Sequence, residues 1–212
     1  MEANRPAEIK NNKEEIPLQF YLERFPAIDP AKRAEELGIE YTADGFFKIR
    51  MLNTDYQVRW PEGTVTSDDP DALAVKKIQG QIMLLRYIME GKSVLSAGGY
   101  MTFREMPWGE VYIKPFTGRC LTRSAYKFGT NVAGFIKGSE AIGGVKVNHG
   151  DAAYEFDFIG PYKLQILVWE GDEEFPPNAQ ILYTNNFATG FSAEDCVVAA
   201  ELTITAISGK MK

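Results

Sequence analysis

The stretch AAYEFDFIGPYKLQILVWEGD, residues 152–172, decides the fold because apolar and polar side chains alternate on both sides of one glycine–proline turn. Alternation with a period of two is typical of a strand with one buried face, and two such runs around a short turn predict an antiparallel hairpin. Residues paired across a hairpin share a face, so the apolar positions favour one register. The predicted pairs are Phe158 with Leu164, Phe156 with Ile166 and Tyr154 with Val168.

The open end of this hairpin carries an acidic loop, GDEEFPP at residues 171–177. Continuing the predicted register places His149, the only histidine of the chain, opposite Glu173, with Asp151 on the same face. An imidazole beside carboxylates can bind a divalent metal or act in general acid–base catalysis. The candidate ligand or metal site therefore consists of His149, Asp151, Asp172, Glu173 and Glu174.

The same loop also suits a purely structural turn. Gly171-Asp172 and Pro176-Pro177 are turn-forming pairs, and acidic side chains at a strand end are commonly solvated. Carboxylates there can accept hydrogen bonds from loop N–H groups that the strand ladder leaves free. We expect at least one of Asp172 and Glu174 to accept such a bond. The acids are expected to shape the loop more than to perform chemistry, and no metal is assigned to them.

Two helices and a second hairpin are predicted before residue 61. IPLQFYLERF (16–25) places apolar residues at helical spacing, and DPAKRAEELG (29–38) carries Asp29 as a cap and Gly38 as a stop signal. FFKIRMLNTDYQVRW (46–60) alternates on both sides of a polar turn, which predicts a hairpin with one solvated face. Residues 61–70 are expected to form a loop.

A long helix is predicted from Asp69, which can cap it, to Gly91, which can end it. Apolar residues within it recur at intervals of three and four, the spacing of one helix face. They are Val75, Ile78, Ile82, Leu85 and Met89. We expect this stripe to face the core, with Lys76, Lys77 and Arg86 more exposed.

The remaining segments add helices and one strand. Residues 108–116 are expected to start as a strand and run into a helix, and residues 117–129 and 131–142 are expected to form two helices. AQILY (179–183) continues the sheet, and Ser192 followed by Asp195 predicts the start of a last helix. Hairpins combined with blocks of helices indicate an α+β class, an antiparallel sheet built from hairpins with helices packed on one face.

The amino-acid composition narrows the class of protein to which this chain can belong. The chain has 212 residues, is 45% hydrophobic and carries a formal net charge of -6, so it can bury a core and repels nucleic-acid phosphates. The polar residues 1–15 do not resemble a signal peptide and are expected to be frayed, whereas residues 16–212 are expected to form a single α+β domain. Because no apolar run reaches the roughly 20 residues that cross a bilayer, we expect a cytoplasmic protein that binds neither nucleic acid nor membrane.

Motifs for nucleotide binding and nucleophilic catalysis are weak. The glycine-containing stretches lack phosphate-loop spacing, and a serine or cysteine nucleophile would have to share His149. Cys120 and Cys196 have no metal-ligand spacing and are interpreted as reduced, buried thiols. A group of neighbouring aromatic residues either lines a pocket for a flat ligand or packs in the core. They are Tyr100, Phe103, Trp108, Tyr112 and Phe116.

A family resemblance rests on FREM (103–106), YIKPFTGR (112–119), AIGGVKV (141–147), HGDAAYEF (149–156) and, most specifically, VWEGDEEFPPNAQILY (168–183). Through these stretches, residues 75–205 resemble a prokaryotic family known only as a domain of unknown function and met mainly in anaerobic bacteria and archaea. Some members are joined to cysteine-rich iron–sulfur segments or occur near corrinoid and iron–sulfur proteins, which implies an iron–sulfur or corrinoid protein partner. With two cysteines, this chain cannot hold a four-cysteine cluster alone.

The leading functional hypothesis is a non-catalytic accessory or small-ligand-binding domain with no cofactor assigned. The first alternative is a metal-dependent enzyme that uses His149, Asp151 and Glu173, and the second is a protein–protein interaction module. A bound metal would favour the enzyme, a deep aromatic cavity would favour ligand binding, and a large flat exposed apolar patch would favour the interaction module.

Overall fold

The computed structural model describes residues 14–212, and its first helix, α1, spans Glu15–Arg24. Tyr21 is buried on its inner face, and a following 3-10 turn at Phe25–Ala27 buries Phe25 completely. Leu18 and Leu22 are partly buried against the same core, so the apolar residues at helical spacing face inward. The prediction that residues 1–15 are frayed lies outside the described residues, apart from Glu14 and Glu15.

The second helix, α2, spans Pro30–Leu37 and has the ends that its sequence predicts. Asp29 Oδ1 accepts a hydrogen bond from the Lys32 N–H at 3.1 Å, which satisfies a donor that the first helical turn leaves free. Gly38 ends the helix in the left-handed region with φ of 67°. Local capping chemistry therefore determines both ends of α2.

Four short strands form the first part of the sheet. They are β1 (Glu40–Tyr41), β2 (Phe46–Met51), β3 (Thr54–Arg59) and β4 (Val65–Thr66), and neighbouring strands pair antiparallel. Phe47, Ile49 and Val58 are buried, whereas Lys48 and Arg50 are exposed, so the predicted solvated face is confirmed. The loop prediction for residues 61–70 is wrong at β4, whose two residues pair with β3.

The predicted long helix is two helices, α3 (Leu73–Lys76) and α4 (Ile78–Glu90), because the backbone at Lys77 is extended. Asp69 caps neither helix, since its Oδ1 accepts from the Asp71 N–H at 2.8 Å and closes a turn ahead of α3. The predicted stripe is correct at Leu85, which is buried, and wrong at Val75, which is 53% exposed. The buried side chains of α4 are Met83, Leu84, Leu85, Tyr87 and Ile88.

A helical run follows the edge strand β5 (Tyr100–Thr102) and a 3-10 turn at Phe103–Glu105. It contains α5 (Gly109–Phe116), a π-helical turn (Thr117–Thr122) and α6 (Arg123–Phe128), and α7 (Val132–Ala141) comes after the predicted break near Gly129. The prediction that residues 108–116 start as a strand is wrong. Tyr112, Ile113 and Phe116 pack on the core at helical spacing, while the β-branched Val111 is 89% exposed.

The second part of the sheet contains β6 (Val145–Lys146), β7 (Ala152–Ile159), β8 (Tyr162–Trp169) and β9 (Asn178–Thr184). The strand order is β4-β3-β2-β7-β8-β9-β5, with β1 beside β2 and β6 beside β7. Every paired strand is antiparallel, as the hairpin pattern predicts. The two parts of the sheet meet at one residue pair of β2 and β7, Met51 with Ile159.

The β7–β8 hairpin keeps the predicted faces but not the predicted register. Its turn is Gly160-Pro161, because Ile159 pairs with Tyr162, and a bulge between Asp157 and Ile159 then shifts the ladder. Phe158 is the extra residue of that bulge. The observed pairs are Phe156 with Leu164, Tyr154 with Ile166 and Ala152 with Val168, two residues away from the predicted register. A shift of two leaves each side chain on its face, so the apolar face remains buried.

Two C-terminal helices complete the fold, α8 (Phe187–Gly190) and α9 (Ala193–Lys210). Ser192 and Asp195 form the predicted capping box at the start of α9. Helices pack on one face of the sheet: Phe135 of α7 contacts Tyr154 of β7 with ring centroids 5.7 Å apart. The α+β class with its antiparallel sheet is therefore confirmed. None of the helices in the described range is long and apolar enough to span a membrane.

Candidate functional site

The acidic loop (residues 171–177) is a hydrogen-bonded turn. Asp172 Oδ1 accepts from the N–H groups of Phe175 at 2.7 Å and Glu174 at 2.8 Å, and the Asp172 N–H donates to the Phe175 carbonyl at 2.9 Å. The bonds from Phe175 and Glu174 stabilise the carboxylate and hold the pKa of Asp172 below its ordinary value. The expectation that Asp172 or Glu174 accepts loop hydrogen bonds is confirmed for Asp172.

Asp151 connects the start of β7 to the end of β8. Its Oδ2 accepts from the Glu170 N–H at 2.7 Å, and its own N–H donates to the Val168 carbonyl at 3.0 Å. The prediction that His149 lies opposite Glu173 is wrong, because the strand ladder ends at the pair of Ala152 with Val168 and its register differs from the predicted one.

The side chains of His149, Glu173 and Glu174 are exposed. Within residues 14–212, no three side chains among histidine, cysteine, aspartate and glutamate lie close enough together to hold a metal ion. His149, Asp151 and Glu173 therefore form no preformed set of three ligands. A role for the five candidate residues in binding a ligand stays a prediction.

The aromatic group of residues 100–116 divides between the core and the surface. Phe103 and Phe116 are buried and stack with ring centroids 4.1 Å apart, and Trp108 meets Phe103 edge-on at 5.2 Å. The hydroxyls of Tyr100 and Tyr112 instead donate to Glu155 and Glu194. Core packing therefore accounts for Phe103, Trp108 and Phe116, whereas Tyr112 packs partly on the core and, like Tyr100, binds a carboxylate.

A cavity of about 510 Å³ opens between α1, α4, the π turn and α9, and we call it the interhelical cavity. One part of its wall is apolar and is formed by Pro17, Tyr21, Ile82, Met83 and Val198. The other part is polar and is formed by Glu14, Gln79, Arg86, Arg119, Glu194, Asp195 and Glu201. The cavity thus joins an apolar surface to a set of four carboxylates and two guanidinium groups.

Arg119 reaches this cavity from the π-helical turn. Pro115 lies inside α5, two residues before that turn begins, and proline lacks the N–H that an α-helix requires at this point. Helix irregularities commonly occur at proline, and single π turns are frequent at functional sites. The irregular backbone places Arg119 toward α9, beside Glu194 and Glu201.

The Arg119 guanidinium is held in a fork between two carboxylates of α9. Its Nε and Nη2 donate to the two oxygens of Glu201 at 3.1 and 2.7 Å, and its Nη1 donates to Glu194 at 2.7 Å. The bonds to Glu201, followed by those to Glu194, raise the pKa of Arg119 although partial burial acts in the opposite direction. The hydrogen bond that Tyr112 donates to Glu194, together with burial, raises the pKa of that tyrosine. The paired carboxylates therefore fix both the position and the charge of Arg119.

Arg86 of α4 is the second guanidinium of the cavity. It pairs with Asp195 and with Glu90, the latter through Nε at 3.2 Å. Asp195 is buried, and its other oxygen accepts from the Ser192 N–H at 2.7 Å and from the Ser192 hydroxyl at 2.6 Å. Asp195 therefore takes part in the capping box of α9 and also binds Arg86 of α4. This pairing holds α4 and α9, which form two walls of the cavity, against each other.

Tyr21 of α1 forms the apolar wall opposite these charges. Burial raises the pKa of its hydroxyl; among the smaller contributions, Arg86 lowers this pKa and Glu90 raises it. The phenol therefore stays protonated at neutral pH and presents an uncharged aromatic surface. A cavity with one apolar wall and one wall of fixed charges can bind and orient an amphiphilic molecule.

The spacing of two acidic residues in the sequence indicates part of this cavity wall. Glu194 and Glu201 are seven residues apart, two turns of helix, so both project from one face of α9. Asp195 is predicted only as a capping residue, and Arg86 only as a solvated position of the long helix. Arg119 has no comparable signal, because its position depends on a π turn that apolar spacing does not reveal.

Residues 29–206 match the family described as Domain of unknown function (DUF3786). This range includes residues 75–205, on which the sequence resemblance rests. The comparisons with curated proteins and with solved structures gave no match. The anaerobic setting and the iron–sulfur or corrinoid partner stay predictions.

Proposed function

The chain belongs to the family described as Domain of unknown function (DUF3786), and on that premise we propose that it is a non-catalytic accessory domain that binds a small molecule in the interhelical cavity. The observation that carries the proposal is the cavity itself. Its volume of about 510 Å³ lies within the range of small-ligand sites, which are concave and largely preformed.

The apolar wall supplies the driving force for binding. Tyr21, Ile82 and Val198 line one side of the cavity, and covering their exposed carbon atoms with an apolar ligand removes that surface from water. Met83 adds a flexible, polarizable side chain that adapts to the shape of a bound molecule. This wall favours a ligand with an apolar body.

The charged wall supplies orientation. Arg86 and Arg119 each pair with two carboxylates, so the positive groups are immobile and already compensated before a ligand enters. A preorganised site of this kind loses less conformational entropy on binding than one that must order its side chains. These pairings support a binding role, in which the charged side chains orient a molecule and take part in no reaction.

A substitution that fills the cavity tests the proposal. The amphiphilic dye 8-anilinonaphthalene-1-sulfonate should bind the wild-type protein with one-to-one stoichiometry, measured by fluorescence titration. Val198→Trp places a large side chain in the cavity and should abolish this binding, while circular dichroism and the melting temperature verify that the variant is folded. Val111→Trp makes the same change at a position that is 89% exposed and should leave binding unchanged.

Two results would count against the proposal. One is a folded Val198→Trp variant that binds the dye as the wild type does, because binding would then occur elsewhere. The other is an equal loss of binding in Val198→Trp and Val111→Trp, because the effect would then come from the added tryptophan and not from the filled cavity.

A further inference from the structure

A second cavity of about 240 Å³ adjoins the interhelical cavity, and we call it the side cavity. The two cavities share three lining residues, Gln79, Val198 and Glu201. The side cavity adds two basic residues, Lys77 and Arg123, and two further residues of α9, Leu202 and Thr205. A molecule that lies along Val198 can therefore occupy both cavities.

Within residues 14–212, the two basic residues of the side cavity have no carboxylate partner. Its one carboxylate, Glu201, is engaged by the fork of Arg119 at 2.7 and 3.1 Å. Arg123 donates to the Thr205 hydroxyl at 3.1 Å, a neutral partner. Among the ion pairs of residues 14–212, none includes Lys77 or Arg123.

This arrangement contrasts with the interhelical cavity. There the two arginines each have two carboxylate partners. Among the described residues, the cations of the combined groove that lack a carboxylate partner therefore lie at the end that contains Lys77 and Arg123. An anionic group is attracted to that end, whereas at the other end the arginines are already engaged by carboxylates.

The fold places the two cations together from segments that are distant in sequence. Lys77 lies at the break between α3 and α4, where its extended backbone separates the two helices. Arg123 begins α6 directly after the π turn, four residues beyond Arg119. Both side chains are exposed. Two cations that line one cavity and have no carboxylate partner among the described residues supply the donors that a carboxylate or phosphate group needs.

We propose that the side cavity binds the anionic head, a carboxylate or a phosphate, of an amphiphilic ligand whose apolar body extends past Val198 into the interhelical cavity. The inference rests on the proposed function, because it names the chemical class and the orientation of the molecule bound there. It adds that Lys77 and Arg123 determine specificity for the head group, whereas the apolar wall determines affinity for the body.

Calorimetric titration with four ten-carbon probes, each below its micelle concentration, tests the inference. Decanoate and decyl phosphate carry the two kinds of anionic head, 1-decanol is neutral, and decyltrimethylammonium is cationic. The two anionic probes should bind the wild-type protein about tenfold more tightly than decanol, the difference expected for charge-assisted hydrogen bonds at two cations. A preference between decanoate and decyl phosphate identifies the head group.

The variant Lys77→Gln/Arg123→Gln should bind the anionic probes no better than decanol and should bind decanol as the wild type does. The matched control Lys114→Gln/Lys127→Gln removes the same charge at exposed positions outside both cavities and should retain the preference for anions.

The outcomes separate the two proposals. Equal binding of decanoate and decanol to the wild type, tightest binding of the cationic probe, or a preference for anions that survives in Lys77→Gln/Arg123→Gln would overturn the head-group assignment and leave the interhelical cavity as a ligand site. Binding of none of the four probes would overturn both.

Discussion

Single carboxylates connect separate elements of this fold. Asp195 is 6% exposed, and one of its oxygens accepts from the Ser192 N–H and hydroxyl while the other pairs with Arg86. The same side chain therefore caps α9 and ties it to α4. Asp172 binds the backbone in a similar way within the acidic loop, where one of its oxygens accepts from two successive N–H groups. In both places the carboxylate satisfies backbone donors that no other described group satisfies locally.

Asp195→Ala should be strongly destabilising. The substitution removes the side-chain half of the capping box that accepts from Ser192, and it leaves Arg86 with one carboxylate fewer in a partly buried position. We therefore expect a loss of about 2 to 4 kcal/mol in the free energy of unfolding. Chemical denaturation measures it. Ser192→Ala, which keeps the pair with Arg86, should cost about 1 kcal/mol. Asp157→Ala removes an exposed pair with Lys163 and should change stability by about 0.5 kcal/mol or less, so an equal effect in all three variants would contradict this account.

The acidic loop should show a defined dependence on pH. The pKa of Asp172 is lowered in the folded protein by bonds from Phe175 and Glu174, so its contribution to stability is complete above the unfolded value of 3.8 and is lost as the pH falls through the lower folded value. Carbon-detected NMR should give a midpoint for Asp172 below 3.8. In Asp172→Asn, which cannot ionise, this part of the pH dependence should disappear. A midpoint at or above the ordinary value would show that the loop bonds do not form in solution.

Whole elements follow from the sequence where their determinants are local. The ends of α2 and the start of α9 are predicted because Asp29, Gly38 and Ser192 act within one turn of their own helix. The bulge at Phe158 is not predicted, because it depends on long-range contacts: its carbonyl accepts from the Leu52 N–H, and its ring packs 6.2 Å from Phe187. The break at Lys77 is likewise invisible to apolar spacing, since that spacing continues through it.

The crossing of α7 and α9 should depend on Gly138. A Cβ at this position would lie 2.5 Å from the Ile207 carbonyl oxygen, so Gly138→Ala must push the two helices apart, and we expect a destabilisation of about 1 to 3 kcal/mol. Gly118→Ala is the matched control, because a Cβ there meets no atom within 4 Å. Urea denaturation should show little change or a slight stabilisation for the control. Equal behaviour of the two variants would mean that the helices do not approach so closely.

At the scale of the whole molecule, the interhelical cavity is assembled from segments that are far apart in sequence. Arg86, Arg119 and Glu201 belong to three different elements, and their proximity depends on how α4, the π turn and α9 pack. The acidic loop, in contrast, is a local feature, and its bonding is predictable from Gly171, Asp172 and the two prolines. Local turn chemistry can therefore be predicted from sequence, whereas a cavity between helices requires the tertiary structure.

The two parts of the sheet should unfold together, as expected for residues 16–212 forming one domain. Phe25 is fully buried between α1 and β2, with its ring centroid 6.0 Å from that of Phe47, and both belong to the core shared by the whole described chain. Phe25→Ala should destabilise the protein by about 3 to 5 kcal/mol. Differential scanning calorimetry should show one transition in the wild type and in the variant. A separate low-temperature transition in Phe25→Ala would indicate that the N-terminal part is an independent unit.

The junction between β2 and β7 has a mechanical consequence. The strands meet at one pair, Met51 with Ile159, reinforced by the Leu52 N–H bond to the Phe158 carbonyl at 2.9 Å, whereas β7 and β8 are joined along nearly their whole length. A force that pulls the β2–β3 hairpin away from β7 acts on few backbone hydrogen bonds, and these can break one after another. Under tension the sheet should therefore part between β2 and β7, and the β7–β8–β9 unit should remain intact until a higher force is reached.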